Sequence, residues 1–439
     1  IHTFSPTLVN ELSVSAHHDT ENTRPQGQAD IDKVSRSKLG MTLSQFYPQL
    51  NPLNMVPWMS FGGITGAASF TTDRRFPMRG ADTVFNFSNN LTKVWGSHTV
   101  KTGFWAERVR DFEGEQGINA GSFDFGRDVN NPWETNYAYA NAVLGYFRSY
   151  QESNSRIGTN GRGTTAEWFV QDNWRATRRL TLDYGLRFTW YAPYYQADGK
   201  AAGFVPERYD PKKAPAMYRP TLNAARQRVA LNPLTGALAP TVLIGAFVPG
   251  SGDTANGMVL DTAKDYPLGF MDRQGVLFAP RIGFALDVFG DGKTAIRGGF
   301  GIFYNTRERI LIIDQTYNPP VQYNPIMYYD TTATFVQSAG TWFPSTTGGI
   351  SRPGNVLTAY NFSLGVQRNV GFGTVLDVAY VGNLARHLLQ SRNINTLPYG
   401  TRFLASSLDP TTGRALADDF LRPYPGYSSI SIWENGGSS

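Results

Sequence analysis

The residue types that most often carry catalysis match no catalytic motif in this chain. The five histidines lack the His-Glu-x-x-His spacing that a zinc hydrolase needs on one helix face. They are His2, His17, His18, His98 and His387. The chain has no Gly-x-Ser-x-Gly nucleophile motif and no cysteine, which excludes thiolate chemistry and disulfides. We therefore predict no catalytic residue, no metal site and no cofactor.

Gly292-Lys293-Thr294 resembles the end of a phosphate-binding loop. That loop requires a glycine five residues before Gly292, where this chain has Asp287. A strand pattern rather than a helix follows the three residues. We predict a hairpin turn here and no nucleotide site.

Carboxylates on predicted strands leave one catalytic alternative open, because a glycoside hydrolase needs only two of them on either side of a sugar. The candidates are Glu107, Glu167, Asp183 and Asp377. Lys101 and Arg187 lie near them in the same alternating pattern. A wall that faces water explains such a mixture of charges without catalysis.

These polar residues belong to strands whose side chains alternate between two faces. From Leu180 to Tyr191, apolar residues occupy the even positions, and most of the odd positions are polar or glycine. This period of two predicts a strand with one apolar face. Four hairpins follow the same rule, and their predicted strand pairs are 84–95 with 99–109, 165–174 with 180–191, 281–289 with 294–304, and 360–370 with 374–383.

The connections alternate between short turns and long loops. Gly96, Ala176, Asp291 and Phe372 mark the short turns, while residues 19–83, 193–275 and 306–354 form long connections. Weaker patterns predict strands at 8–17, 121–125, 147–155 and 429–434, and a short helix at 139–145. We count about a dozen strands of about ten residues, which is the length that crosses a bilayer at a tilt.

Composition supports a membrane wall made of strands. The 439 residues include 45 glycines and 26 prolines, 13% are aromatic and only 17% are charged. No stretch of about 18 apolar residues forms a membrane helix, and the net charge of +5 is too dispersed for a nucleic-acid surface. The predicted fold is an all-β, antiparallel, up-and-down transmembrane β-barrel. Short turns at one rim and long extracellular loops at the other are typical of this class.

The alternation also predicts which side chains face the lumen and which face lipid. Leu182, Tyr184, Leu186 and Phe188 are expected to point to lipid. The lumen-facing candidates are Lys101, Glu107, Glu167, Gln171, Asp183 and Arg187. Aromatic residues in the long loops are candidate ligand contacts, namely Tyr194, Tyr195, Tyr328 and Trp342.

The stretches 167–175 (EWFVQDNWR) and 179–187 (RLTLDYGLR) resemble paired barrel strands of TonB-dependent outer-membrane receptors. More specifically, they are similar to the subgroup that carries a carboxypeptidase-regulatory-like domain ahead of the plug. Residues 3–11, 98–103, 279–284 and 420–426 also agree with that family. These motifs belong to the barrel wall, so they indicate the family better than the ligand.

The resemblance implies a receptor in the outer membrane of a Gram-negative bacterium. Its expected partners are outer-membrane lipid, an unknown extracellular ligand, and the inner-membrane TonB complex acting through a plug. No plug, signal peptide or terminal aromatic residue is visible here, so we expect residues 1–439 to be part of one barrel that lacks its plug and C-terminal strands. The ligand stays open among siderophore, cobalamin, oligosaccharide and peptide.

Two other classes of protein remain as alternatives. The first is a non-transporting adhesin or secretion-associated protein on the same barrel, which would lack the plug and its coupling segment. The second is a soluble β-rich carbohydrate-active protein, which would need two carboxylates that converge in a pocket.

Overall fold

The computed structural model describes residues 1–129, 131–305, 310–338 and 342–439. Its strands are, in chain order, β1 (His2–Ser5), β2 (Leu8–Thr23), β3 (Trp58–Ser60), β4 (Met78–Trp95), β5 (His98–Gln116), β6 (Ser122–Asp124), β7 (Tyr146–Gln151), β8 (Ile157–Arg175), β9 (Leu180–Tyr191), β10 (Tyr195–Gln196), β11 (Ala202–Phe204), β12 (Arg219–Leu222), β13 (Arg228–Leu231), β14 (Leu238–Ala239), β15 (Met258–Leu260), β16 (Leu277–Asp287), β17 (Thr294–Tyr304), β18 (Ile326–Thr331), β19 (Ser345–Ile350), β20 (Thr358–Gly371), β21 (Thr374–Asn393) and β22 (Tyr427–Ser438). The α-helices are α1 (Gln28–Val34), α2 (Ala138–Leu144) and α3 (Ile310–Asp314). Among the described residues, no helix combines the length and the apolarity that crossing a bilayer requires.

A 13-stranded sheet forms the wall of the molecule. Its strand order is β1-β2-β4-β5-β8-β9-β16-β17-β20-β21-β22-β19, and β10 pairs with β8 off this path. The long strands pair antiparallel with their neighbours, for example at Trp168↔Phe188 and Phe284↔Leu182. The wall is therefore the up-and-down, all-β arrangement that the alternating pattern predicts.

The four predicted short turns lie at the same rim of this sheet. Each joins two sequential antiparallel strands, and the register links their ends across the sheet, from Trp95↔His98 through His98↔Trp174 to Leu180↔Leu286. Gly96 has a φ of 57°, which a residue without a Cβ adopts at little cost. The long connections leave from the opposite rim, as the sequence predicts.

The strands are longer than the predicted ten residues. The strands β4, β5 and β8 have 18, 19 and 19 residues, and β21 has 20. Their extra residues lie toward the rim of the long connections. The period-two pattern weakens in these extensions, so the sequence underestimates the strand length.

The wall sheet is open. Among the described residues, β1 pairs only with residues 8–10 of β2, and β22 pairs only with the part of β21 that begins at Arg386. The remainder of β2 and the first half of β21 thus pair on one side only. A barrel that is only half present predicts edges at the strands near Leu8 and near Ser429. The first edge is confirmed for β2 beyond Asn10, although residues 8–10 pair with β1. The expected edge near Ser429 is wrong, because β22 lies between β21 and the parallel strand β19.

The long connections fold into lobes, and the first of them has a core of its own. One lobe is built on a four-stranded sheet of order β18-β7-β6-β3. It buries a cluster of mostly aromatic side chains, namely Phe123, Phe125, Phe147, Tyr150, Met327 and Phe335. A second lobe contains the β11-β15 pair, the β12-β13-β14 sheet and α3. The predicted short helix at 139–145 is confirmed as α2, and the weak strands at 121–125 and 147–155 are confirmed in shorter form as β6 and β7.

Candidate ligand-binding surfaces

All six predicted lumen-facing residues lie on one face of the wall, which we call the inner face. Residues directly opposite each other in neighbouring strands share a face. Lys101 lies opposite Gln171, Glu107 opposite Thr165, and Glu167 opposite Thr189. Asp183 and Arg187 have the same parity as Thr189 in β9. Leu182, Tyr184, Leu186 and Phe188 occupy the opposite face, which we call the outer face.

The inner-face residues of β8 and β9 form two hydrogen-bonded groups. Asp183 accepts hydrogen bonds from Gln171 Nε2 at 2.9 Å and from Asn173 Nδ2 at 3.3 Å. Further along the strands, Arg187 forms an ion pair with Glu167, which also accepts a bond from Thr189 Oγ1 at 3.2 Å. Because each of these carboxylates already binds protein donors, the arrangement stiffens the wall.

The separation of these carboxylates does not suit glycoside hydrolysis. Asp183 and Thr189, which lies opposite Glu167, are six residues apart in one strand, or about 20 Å at roughly 3.3 Å per residue. A glycosidase pair needs its carboxyl groups about 5 to 9.5 Å apart. Asp183 and Glu167 thus do not form such a pair.

The inner face also holds arginines over aromatic rings. The Arg187 guanidinium lies 5.0 Å from the centre of the Phe169 ring, and that of Arg281 lies 4.4 Å from the centre of the Phe303 ring. Such contacts stabilise a cation that has lost part of its hydration. The inner face therefore carries two ordered guanidinium groups in addition to the ion-paired carboxylates.

The predicted loop aromatics lie in different places. Tyr194 donates a hydrogen bond to Asp111 Oδ2 at 2.9 Å and is thereby attached to the wall. Tyr195 lies in β10, opposite Arg162 of β8. In the first lobe and the segment beside it, Tyr328 packs on Phe343 with ring centres 4.8 Å apart, and Trp342 packs on Tyr323 at 5.3 Å. None of the four predicted residues lines the two cavities described next.

A cavity of about 300 Å³, here called the amide cavity, lies between the ends of two sheets. Gln151 and Ile326, which pair at the end of the first lobe's sheet, contribute one side. Ser345 and Ser428, where β19 and β22 begin, contribute the other. The segment between α3 and β18 supplies the rest of the lining, including Gln322.

A buried carboxylate fixes the strand end that carries Gln151. Glu152 accepts hydrogen bonds from the backbone amides of Phe46 at 2.8 Å and Tyr47 at 2.9 Å, and from the Tyr150 hydroxyl at 2.6 Å. These bonds tie residues 46–47 of a long connection to β7. The cavity therefore has one rigid side.

A second cavity, of about 560 Å³, lies beside the wall near the end of β5. Its lining contains Arg24, Arg79 and Glu115 together with Phe112. It is more open and carries charges of both signs. Among the described residues, no three His, Asp or Glu side chains converge on a point that could hold a metal ion.

Sequence reasoning did not find the residues of the amide cavity. They come from chain positions near 151, 320, 345 and 428, and they are uncharged residues of ordinary type in loops or at strand ends. The available signal was the Asn- and Pro-rich stretch 318–325, which predicts an ordered but irregular connection. Nothing in that stretch predicts which distant residues it meets.

The fold is a long antiparallel β-sheet with one apolar face, tight turns at one rim and folded long connections at the other, as in the wall of a membrane β-barrel. Residues 1–439 match the family model described as outer membrane beta barrel domain. The chain belongs to this family, and its location is the outer membrane of a Gram-negative bacterium. No curated protein sequence matches the chain significantly.

Several solved structures of outer-membrane transporters and receptors are similar to this chain at low identity. The outer membrane transporter YddB from Escherichia coli is 10% identical with a TM-score of 0.46, and the match covers 99% of this chain and 36% of that one. The siderophore receptor PirA from Acinetobacter baumannii is 10% identical with a TM-score of 0.35, covering 88% and 36%. The alcaligin receptor FauA from Bordetella pertussis is 8% identical with a TM-score of 0.29, covering 99% and 46%. The chain thus spans about a third of the length of the first of these proteins.

Proposed function

We propose that this chain is part of the barrel of a TonB-dependent receptor that takes up a scarce extracellular ligand across the outer membrane. The observation that carries the proposal is the asymmetry of the wall. Tight turns occupy one rim, while the other carries folded lobes with a cavity. A receptor needs ordered outer loops to select a ligand, whereas a passive structural barrel does not.

The open sheet supports the proposal that further strands complete the barrel. An unpaired backbone group in hydrocarbon costs several kcal/mol, and much of β2 and β21 pairs on one side only. Outer-membrane transporters of this kind have about 22 strands. We infer that additional strands of the complete protein pair with β2 and β21, and that a plug fills the lumen.

The proposal also includes the receptor subgroup and the residues that face the lumen. The motifs in β8 and β9 resemble receptors with an N-terminal carboxypeptidase-regulatory-like domain, so that domain is expected ahead of the plug. The lumen-facing roles of Lys101, Glu107, Glu167, Gln171, Asp183 and Arg187 are also part of it. In this arrangement the inner face contacts the plug, and its ion pairs keep the wall rigid when the plug moves. A soluble carbohydrate-active protein does not fit the family.

The test is binding to the energy-coupling partner. The complete open reading frame that contains this chain is expressed, and the protein is purified from outer membranes in detergent. Its retention by the immobilised periplasmic domain of TonB is then measured. A matched variant lacks only the predicted coupling segment ahead of the plug.

We expect the complete protein to be retained and the deletion variant to be lost. Equal retention of both proteins, or of neither, contradicts the assignment. An open reading frame that encodes no plug would favour the adhesin or secretion-associated barrel instead.

A further inference from the structure

The amide cavity is lined without charge. None of its lining residues is Asp, Glu, Lys, Arg or His. Burying a carboxylate or phosphate beside such a surface is costly, because no cation compensates for the lost hydration. The lining therefore favours a neutral ligand over an anionic one.

Carboxamide groups of the cavity are held in fixed positions. Asn324 Oδ1 accepts a hydrogen bond from Ser153 Oγ at 2.6 Å. Gln322 Nε2 donates to the Ser155 carbonyl at 2.8 Å, and Gln151 Nε2 donates to the Asn324 carbonyl at 3.3 Å. Amides held in this way present their remaining donors and acceptors to a ligand with little loss of conformational entropy.

A further carboxamide lies close behind Gln322. A Cβ added to Gly117 would lie 2.9 Å from Asn119 Oδ1 and 3.1 Å from Gln322 Nε2, so the two amides lie on either side of the Gly117 backbone. Asn119 is only 6% exposed, and neither Nδ2 nor Oδ1 has a partner among the described residues. Buried polar groups are normally satisfied. Because both atoms are buried from solvent, Asn119 lies behind the lining and does not itself contact a ligand in the cavity.

Three hydroxyl groups complete the polar part of the lining. They belong to Ser345, Thr346 and Ser428. Within the described part of the chain, none of these hydroxyls takes part in a side-chain hydrogen bond. Their substitution therefore removes a contact to a ligand without removing a contact within the fold.

The rest of the lining is apolar or aromatic. Tyr317, Pro319 and Ile326 supply it. An aromatic and aliphatic surface together with fixed neutral donors and acceptors suits a molecule with apolar C–H faces and many hydroxyl groups. A volume of about 300 Å³ is at the lower end of the range for small-molecule sites, roughly 300 to 1,000 Å³.

We propose that the amide cavity binds a neutral saccharide unit. The proposal that a saccharide binds here depends only on the lining of the cavity. The further proposal that this saccharide is part of the imported ligand rests on the proposed function. The aliphatic and ring surfaces of Tyr317 and Pro319 pack against the sugar face, while Gln151, Gln322 and the three hydroxyls bind its hydroxyl groups.

The experiment uses the complete protein in detergent on a printed array of neutral oligosaccharides and their uronic-acid counterparts. The best neutral glycan is then measured by titration calorimetry. We expect at least one neutral glycan to bind, and its uronic-acid counterpart to bind at least tenfold more weakly. The Thr346→Trp variant, which fills the cavity, sets the background.

Substitutions of hydroxyl groups then locate the site. Ser345→Ala and Ser428→Ala each remove one hydrogen bond and are expected to weaken binding about fivefold. Ser406→Ala is the matched control, because Ser406 is exposed and lies outside the lining. Its affinity is expected to be unchanged.

Several results overturn the saccharide site. They are the absence of any neutral glycan above the Thr346→Trp background, equal binding of uronic acids, and unchanged affinity in both serine variants. TonB retention is measured on the same protein samples. If retention persists while glycan binding fails, only the saccharide site is wrong. If glycan binding persists while retention fails, the site belongs to a non-transporting surface protein.

Discussion

The wall and the lobes of this protein place their apolar side chains in opposite ways. Large exposed apolar residues are frequent on the outer face of the wall, including Phe87, Ile282 and Leu364. In the first lobe, Phe123, Phe147 and Phe335 are fully buried. The wall therefore depends on lipid to cover its apolar surface, whereas the lobes are packed like a domain in water.

This difference separates two sources of stability. Backbone pairing along long strands holds the wall, with lipid replacing a protein core. Tight side-chain packing holds the lobes, where a change of one side chain leaves a cavity. A substitution should thus affect the region that contains it and leave the other largely intact.

The largest expected effect is loss of packing in the first lobe. Phe123 is 0% exposed and contacts the rings of Phe147, Tyr150 and Phe335. Phe123→Ala should destabilise this lobe by about 3–5 kcal/mol. Hydrogen–deuterium exchange should become faster in β6 and β7 and stay slow in β16 and β17. Faster exchange in all four strands would show that wall and lobe unfold together.

A charge on the outer face should have the next largest effect. Leu364 of β20 is 55% exposed on the outer face, opposite Gly298 and Tyr380. Leu364→Arg should destabilise the barrel by about 2–4 kcal/mol in a bilayer. The complete protein is refolded into phospholipid vesicles, and urea unfolding is followed by tryptophan fluorescence.

The neighbouring residue provides the control for that change. Ser363 lies next to Leu364 but on the inner face, opposite Gly299. Ser363→Arg should cost well under half as much, because the new charge meets water or other polar groups. If the two variants are equally destabilised, the assignment of lipid to the outer face is wrong.

A buried acid in the second lobe should make that lobe sensitive to pH. Asp261 is 8% exposed, and burial raises the pKa of its carboxyl from 3.8 to about 6. Because the folded state holds the proton more tightly, stability should fall as pH rises from about 4 to about 6, by about 2–3 kcal/mol in total. Protection factors of the β11 and β15 amides at pH 4 and pH 7, in which the intrinsic exchange rate at each pH is divided out, measure this change.

Asp261→Asn should remove most of this pH dependence. Asp265→Asn is the matched control, since Asp265 is exposed and pairs with Arg208 at 2.6 Å. The wall strands should show the same protection factors at both pH values in each variant. A pH dependence that persists in Asp261→Asn would assign it to another group.

The smallest effect is expected at the rim of short turns. Phe372 is fully exposed between β20 and β21, and its φ is 54°. Phe372→Asn should change stability by no more than about 0.5 kcal/mol, because it removes no contact and asparagine tolerates this backbone conformation. Urea unfolding in vesicles measures the change. A larger loss would show that this rim contacts another part of the complete protein.

The sequence by itself determined the wall. Alternation in segments such as Leu180–Tyr191, and turn residues such as Gly96 and Gly290–Gly292, predict hairpins, their faces and their common rim. These features depend on residues within about ten positions of each other, because side-chain direction in a strand repeats every two residues. Family motifs in β8 and β9 carried the same local information, and they identified the wall without identifying a ligand.

Only the tertiary structure decided the lobes and the cavity. Gln151 pairs with Ile326, and Ser345 pairs with Tyr427, next to Ser428. No local pattern specifies partners so far apart in the chain, since many polar residues could fill each position. The extended strand ends and the paired position of β22 have the same cause. Their pairing depends on packing between distant segments, and that packing exists only once the whole chain has folded.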